Sequence, residues 1–128
     1  MSDQNITSFS ITSPNPQILV THVDRILRVQ FNRPERKNAL SLAMYSALAD
    51  VIQTANNDRS VRVLVLSGVN ECFTSGNDLL DFMNEPNIHD SHPVVRFMVA
   101  LQNCVKPVVA VVQGHAVGIG TTLLLHCD

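Results

Sequence analysis

Two short runs of alternating, β-branched character follow one another early in the chain. Ile18-Leu19-Val20-Thr21-His22-Val23 and Ile26-Leu27-Arg28-Val29-Gln30-Phe31 are separated only by Asp24-Arg25, which predicts a β-hairpin. Asn32-Arg33-Pro34 ends the second strand, because proline has no N–H for the ladder. Ser41 is a candidate N-cap, and Leu42, Tyr45, Leu48, Ala49, Ile52 and Ala55 recur at helical spacing up to Asn56-Asn57-Asp58. Val61–Leu66 reads as a strand stopped by Ser67-Gly68, and Phe73–Asp78 as a tight polar turn leading into a short helix at Leu79–Met83. A mobile loop is expected over Asn84–Ser91, then an amphipathic helix carrying Val94, Val95, Met98, Leu101 and Val105. Val108–Val112 is almost wholly apolar, which predicts a strand buried on both faces. The glycine-rich stretch Gly114–Gly120 joins it to a buried helix beginning at Thr121.

Strands alternating with helices after an initial hairpin predict an α/β domain with largely parallel pairing. Residues 1–16, rich in Ser, Thr, Asn and Pro, read as a flexible arm ahead of a core over 17–128. The run LLLHCD carries no helix-stop signal, so the sequence reads as a core truncated at its C-terminal end.

Composition narrows the function classes. The 128 residues are 45% hydrophobic and 16% charged, enough for one packed core. A net charge of −2 without long charge runs gives no nucleic-acid footprint. Three scattered cysteines and five histidines (22, 89, 92, 115 and 126) show no metal-ligand spacing, so no metal is expected. The polar first residues lack a signal-peptide pattern, and a cytoplasmic protein is expected. Val105–Cys127 has the length of a membrane span, but Lys106, Pro107, Gln113 and His115 within it would together cost several kcal/mol to place in hydrocarbon. A buried strand, glycine turn and helix account for the same composition at lower cost.

Three segments then carry specific information: Asn32-Arg33-Pro34-Glu35-Arg36-Lys37-Asn38-Ala39-Leu40, Cys72-Phe73-Thr74-Ser75-Gly76-Asn77-Asp78-Leu79, and Lys106–Gly114 running on to Gly118-Ile119-Gly120. In order and spacing they resemble the enoyl-CoA hydratase/isomerase (crotonase) family over nearly everything after the arm. The resemblance implies the N-terminal portion of a crotonase-like ββα spiral core. It also implies a thioester enolate held by two backbone N–H groups, those of Asn77 and Ile119, the second at a helix N-terminus. Gly76 and Gly118 shape the two turns. Arg36, Lys37, Ala39 and Leu40 fall beside the coenzyme A moiety, and Ser75, Asp78 and Leu79 beside the thioester or acyl chain, with Leu80, Phe82 and Met83 as further lining. Coenzyme A enters as part of the substrate, with no separate cofactor. A homo-oligomer, trimer or hexamer at full length, is implied.

One departure affects the chemistry. The first of the two glutamates of the family's hydratases would fall at Thr122, whose hydroxyl is no carboxylate base at neutral pH. This favours the one-acid pattern of the family's isomerases, with a later glutamate beyond residue 128, so the 128 residues alone are expected to be inactive. Two other readings compete. One is a non-catalytic acyl-CoA-binding or assembly module; the other is a hydrolase using Ser75 near His115, although neither lies in a GxSxG elbow. A dinucleotide loop at Gly114–Gly120 is disfavoured, since the third glycine of GxGxxG is missing.

Overall fold

A computed structural model of the protein describes residues 11–85 and 87–128. The hairpin forms as the sequence predicts: β1 (Ile18–Val23) pairs antiparallel with β2 (Ile26–Phe31), from Val23 opposite Ile26 to Ile18 opposite Phe31. Asp24 and Arg25 both have positive φ, 54° and 67°, the backbone that a two-residue type I′ turn requires. β2 then pairs in parallel with β3 (Val63–Gly68), and β3 with β4 (Val108–Ala110), giving a sheet of order β1-β2-β3-β4.

Helix α1 (Leu42–Asn56) is capped by Ser41, whose hydroxyl accepts from the Met44 N–H. It buries Met44, Tyr45, Leu48, Val51, Ile52 and Ala55 against the sheet residues Leu27, Val29, Phe31, Leu64 and Leu66. Helix α2 (Leu79–Asn84) is short, and α3 (Pro93–Gln102) packs along α1 through Phe97, Ala100 and Leu101. The chain closes with one turn of helix, α4 (Ile119–Thr122), running into a 3-10 turn at Leu123–His126. Residues 1–10 of the expected arm and Pro86 of the expected loop lie outside the described residues, whereas Ile11 packs into the core.

Three expectations need correction. β3 begins and ends two residues later than predicted. Arg62 and Val63 N–H both meet the Arg25 carbonyl, so 61–62 lead into the strand, and Ser67 and Gly68 pair with Gln30 and Phe31. Gly68 is not a stop signal; its missing side chain is needed because a Cβ there would lie 1.9 Å from the Cys72 carbonyl oxygen. β4 is not buried on both faces. It is an edge strand of three residues, and Val109, Val111 and Val112 are each more than 40% exposed, because no described element covers that face. The last helix is likewise largely exposed: Gly120 and Leu123 are its buried residues, and Leu125 is 82% exposed.

No helix among the described residues is long and apolar enough to cross a membrane. The 105–127 stretch is divided into strand, turn and two short helical pieces.

Candidate active site

The site is assembled from loops at the C-terminal ends of the parallel strands. Residues 74–78 run between two other segments. On one side Ser75 N–H donates to the Lys37 carbonyl, Leu40 N–H to the Gly76 carbonyl (2.8 Å) and Asp78 N–H to the Leu40 carbonyl (2.9 Å). On the other, Thr74 N–H donates to the His115 carbonyl and Val117 N–H to the Thr74 carbonyl, at 2.9 and 3.1 Å. The Asn77 turn and the Ile119 turn are therefore stitched to each other. Gly76, at φ +105°, sits so close that a Cβ would stand 3.1 Å from the Val117 oxygen, and a Cβ on Gly120 would stand 2.6 Å from Thr74 Cγ2.

The second turn, Val117–Gly120, closes through Gly120 N–H to the Val117 carbonyl at 3.0 Å. Gly118 has φ 59° and ψ −118°, the first central position of a type II′ turn, which glycine alone adopts readily. No side chain fills the space in front of it.

Peptide planarity sets where the two amides point. The Gly76 carbonyl is held by Leu40 N–H, so in this trans peptide the Asn77 N–H faces away from Leu40. The Gly118 carbonyl accepts from Thr121 and Thr122 N–H, so the Ile119 N–H leaves the opposite, N-terminal end of α4. Neither N–H has a hydrogen-bond partner among the described residues. A single helical turn carries little macrodipole, so the polarity at this end of α4 is mainly that of the Ile119 N–H itself.

Side chains anchor this loop layer. Asn38 is fully buried; its Oδ1 accepts from Arg33 N–H, and its Nδ2 donates to the Val69 and Cys72 carbonyls at 3.0 and 2.7 Å. Thr74 Oγ1 donates to the Asn38 carbonyl and accepts from Gly76 N–H. Arg33 reaches Asp78 in a 2.8 Å ion pair, which holds the Asp78 carboxyl below its ordinary range, helped by the Leu80 and Asp81 N–H groups that it caps. Asp81 in turn accepts from Leu42 N–H at the start of α1. Tyr45, buried in α1, donates its hydroxyl to Asn77 Oδ1, and burial pushes its phenol well above the usual value.

The other expected site residues divide by exposure. Arg36 and Lys37 are exposed and free of ion pairs among the described residues. Lys37 borders a cleft of about 220 Å³ with Pro34, Glu71, Gly114 and His115. Ala39 and Leu40 are buried, Leu40 completely, so they meet the loop layer rather than solvent. Leu79, Leu80 and Met83 expose one side of α2, while Phe82 packs on Tyr45 and His92. Ser75 Oγ donates to the Arg36 carbonyl and has no imidazole partner, so the hydrolase arrangement is not formed. Thr122 is exposed, its hydroxyl on the Gly118 carbonyl. Arg33, Asn38 and Thr74 are anchors outside any periodic run, and Tyr45, which helical spacing places in the core, makes a bond to Asn77 that spacing does not show. For Arg33 and Asn38, membership of the Asn32–Leu40 segment was the available signal.

Two linked bends therefore lie at the strand ends of an α/β sheet, each carrying a main-chain N–H without a partner among the described residues. Comparison with known proteins gives the class of this α/β fold. Residues 21–128 match the family model described as enoyl-CoA hydratase/isomerase, and the chain belongs to that family. It is similar to the structure of OdaA from Pseudomonas aeruginosa, with 49% identity and a TM-score of 0.86, over 89% of this chain and 46% of that one. It is 40% identical to the mouse (Mus musculus) peroxisomal enoyl-CoA delta isomerase 3, over 87% of this chain and 37% of the relative. It is 31% identical to the mouse mitochondrial Delta(3,5)-Delta(2,4)-dienoyl-CoA isomerase, over 100% of this chain and 41% of the relative. The chain thus spans about two fifths of the length of these curated relatives.

Proposed function

We propose that the chain supplies the acyl-CoA site of an enoyl-CoA isomerase-like enzyme, in which the Asn77 and Ile119 N–H groups stabilise the thioester enolate, while these 128 residues alone do not turn the substrate over. The observation that carries this reading is the pair of unpartnered amides on two bends tied through Thr74, Ala116 and Val117. Removing a proton from C2 or C4 of an enoyl thioester moves negative charge to the carbonyl oxygen. A preorganised donor there is worth about 2.7–4 kcal/mol of barrier. Arg36 and Lys37, exposed and without an ion-pair partner among the described residues, supply charge for the coenzyme A phosphates. The bare face of Leu79, Leu80 and Met83 supplies apolar surface for the acyl chain.

Thr122 in the first hydratase position favours isomerisation over hydration. Its hydroxyl, which donates to the Gly118 carbonyl, is no carboxylate base and takes no proton at neutral pH. The carboxylates beside the bends are both engaged, Asp78 by Arg33 and two N–H groups, Asp81 by Leu42 N–H. With both engaged, these 128 residues are expected to bind acyl-CoA without turning it over. Incubation of the purified chain with a 3-enoyl-CoA, followed at the absorbance of the conjugated 2-enoyl product, should show no turnover, and turnover at an enzyme-like rate would overturn the reading that the proton-transferring acid is not among these residues. Calorimetric titration with hexanoyl-CoA tests the binding site itself, with tighter binding than to S-hexyl-CoA, a thioether without the carbonyl oxygen. Equal affinities would remove the enolate-stabilising role. Assembly into trimers or hexamers belongs to the same reading; Val111, Val112 and Leu125 are exposed surfaces suited to it, and light scattering measures the mass.

A further inference from the structure

We infer that Tyr45 is a positioning residue for the Asn77 donor: its hydroxyl holds the Asn77 side chain and thereby fixes the plane of the Gly76–Asn77 peptide. The inference rests on the enolate-stabilising reading and adds to it a residue 32 positions away, on a different element.

The geometry is a three-point hold. Leu40 takes the carbonyl before Asn77 and the N–H after it, at 2.8 and 2.9 Å. Tyr45 takes the side-chain oxygen. The Asn77 N–H is left over, aimed away from Leu40. Tyr45 is itself immobile. It is fully buried, its ring meets Phe97 at 5.5 Å and Phe82 edge-on at 6.4 Å, and so α1, α2 and α3 all fix the hydroxyl.

Such a hold has a chemical purpose. An asparagine next to a helix start competes for neighbouring backbone N–H groups through its side-chain oxygen, forming Asx-type turns that reorient the local peptide. With Oδ1 occupied by the phenol, that alternative is closed. Burial keeps the phenol protonated well beyond neutral pH, so the donor persists wherever the protein is folded.

The test uses Tyr45→Phe, which keeps the ring and its packing and removes one hydroxyl. In ligand-free spectra of the ¹⁵N-labelled chain, the Asn77 backbone and side-chain amides should shift while those of residues 49–55 stay in place. The affinity ratio of hexanoyl-CoA to S-hexyl-CoA should fall about 3–10-fold, the scale of one hydrogen bond. Asn77→Ala, which retains the backbone N–H, should lose the same ratio, and the double variant should lose no more. An unmoved Asn77 signal, or a ratio unchanged in Tyr45→Phe although the variant melts earlier, would show that Tyr45 only packs. If the wild-type chain already binds both compounds equally, the enolate reading itself fails, a result distinct from a failure of positioning.

Discussion

Replacing Asn38 by alanine should be among the most damaging single changes in the loop layer. The wild-type side chain is fully buried and makes three hydrogen bonds to main chain: from Arg33 N–H, to the Val69 carbonyl and to the Cys72 carbonyl. Alanine satisfies none of them. A buried backbone group left unpaired costs about 1–3 kcal/mol, and partly buried ones less. The residue also sits at φ +57°, where asparagine is tolerated better than alanine. Together these give a loss of about 3–5 kcal/mol, a large share of the roughly 5–15 kcal/mol typical of a folded domain. Urea unfolding at 25 °C measures it. With a slope of about 1–3 kcal/mol per molar, the midpoint should fall by at least about 1 M. Lys37→Ala is the matched control, since Lys37 also has positive φ, 49°, but an exposed side chain; it should change stability by less than about 0.5 kcal/mol. Equal, small effects of the two substitutions would refute the view that Asn38 ties the Arg33 loop to the 69–72 turn.

Further expectations concern backbone and ionisation. Gly118→Ala should cost about 1–3 kcal/mol from its φ of 59° alone, since the space in front is open. Gly120→Ala should also destabilise, by forcing the buried Thr74 methyl aside; denaturation midpoints that leave either variant at wild-type stability would contradict this. Asp78 has a depressed pKa through its bond to Arg33, so its stabilisation is present above the unfolded-state value of 3.8 and disappears as pH falls through the lower folded value. Asp78→Asn should lower stability at pH 7 and flatten the acid limb of a stability–pH curve. Tyr45 has a raised pKa, so its stabilisation is complete below the unfolded value of 10.0 and is lost as pH rises beyond it. Tyr45→Phe should abolish that alkaline loss in denaturation curves between pH 8 and 11.

Local rules made the hairpin and α1 legible, because Asp24-Arg25 and Ser41 act within a few residues of what they control. They failed where a distant contact decides. Gly68 looked like punctuation, but it pairs with Phe31 and makes room for the Cys72 carbonyl. Val108–Val112 looked like a central strand, since apolar composition does not reveal whether a covering element is present. At the site, motif resemblance marked both glycine turns but not what steadies them. Arg33 and Asp78 lie 45 positions apart, and Tyr45 and Asn77 lie 32 apart, separations that no periodicity records. The resemblance put Asp78 beside the substrate; in the fold its carboxylate pairs with Arg33 and caps α2, and only the cap was within reach of local reading.

The most direct test of two amides converging on one carbonyl oxygen is a ¹H–¹⁵N titration of the chain with hexanoyl-CoA and, separately, S-hexyl-CoA. The Asn77 and Ile119 amide protons should both move downfield with the thioester and hold their positions with the thioether. Movement of one without the other, or identical responses to the two compounds, would contradict the account.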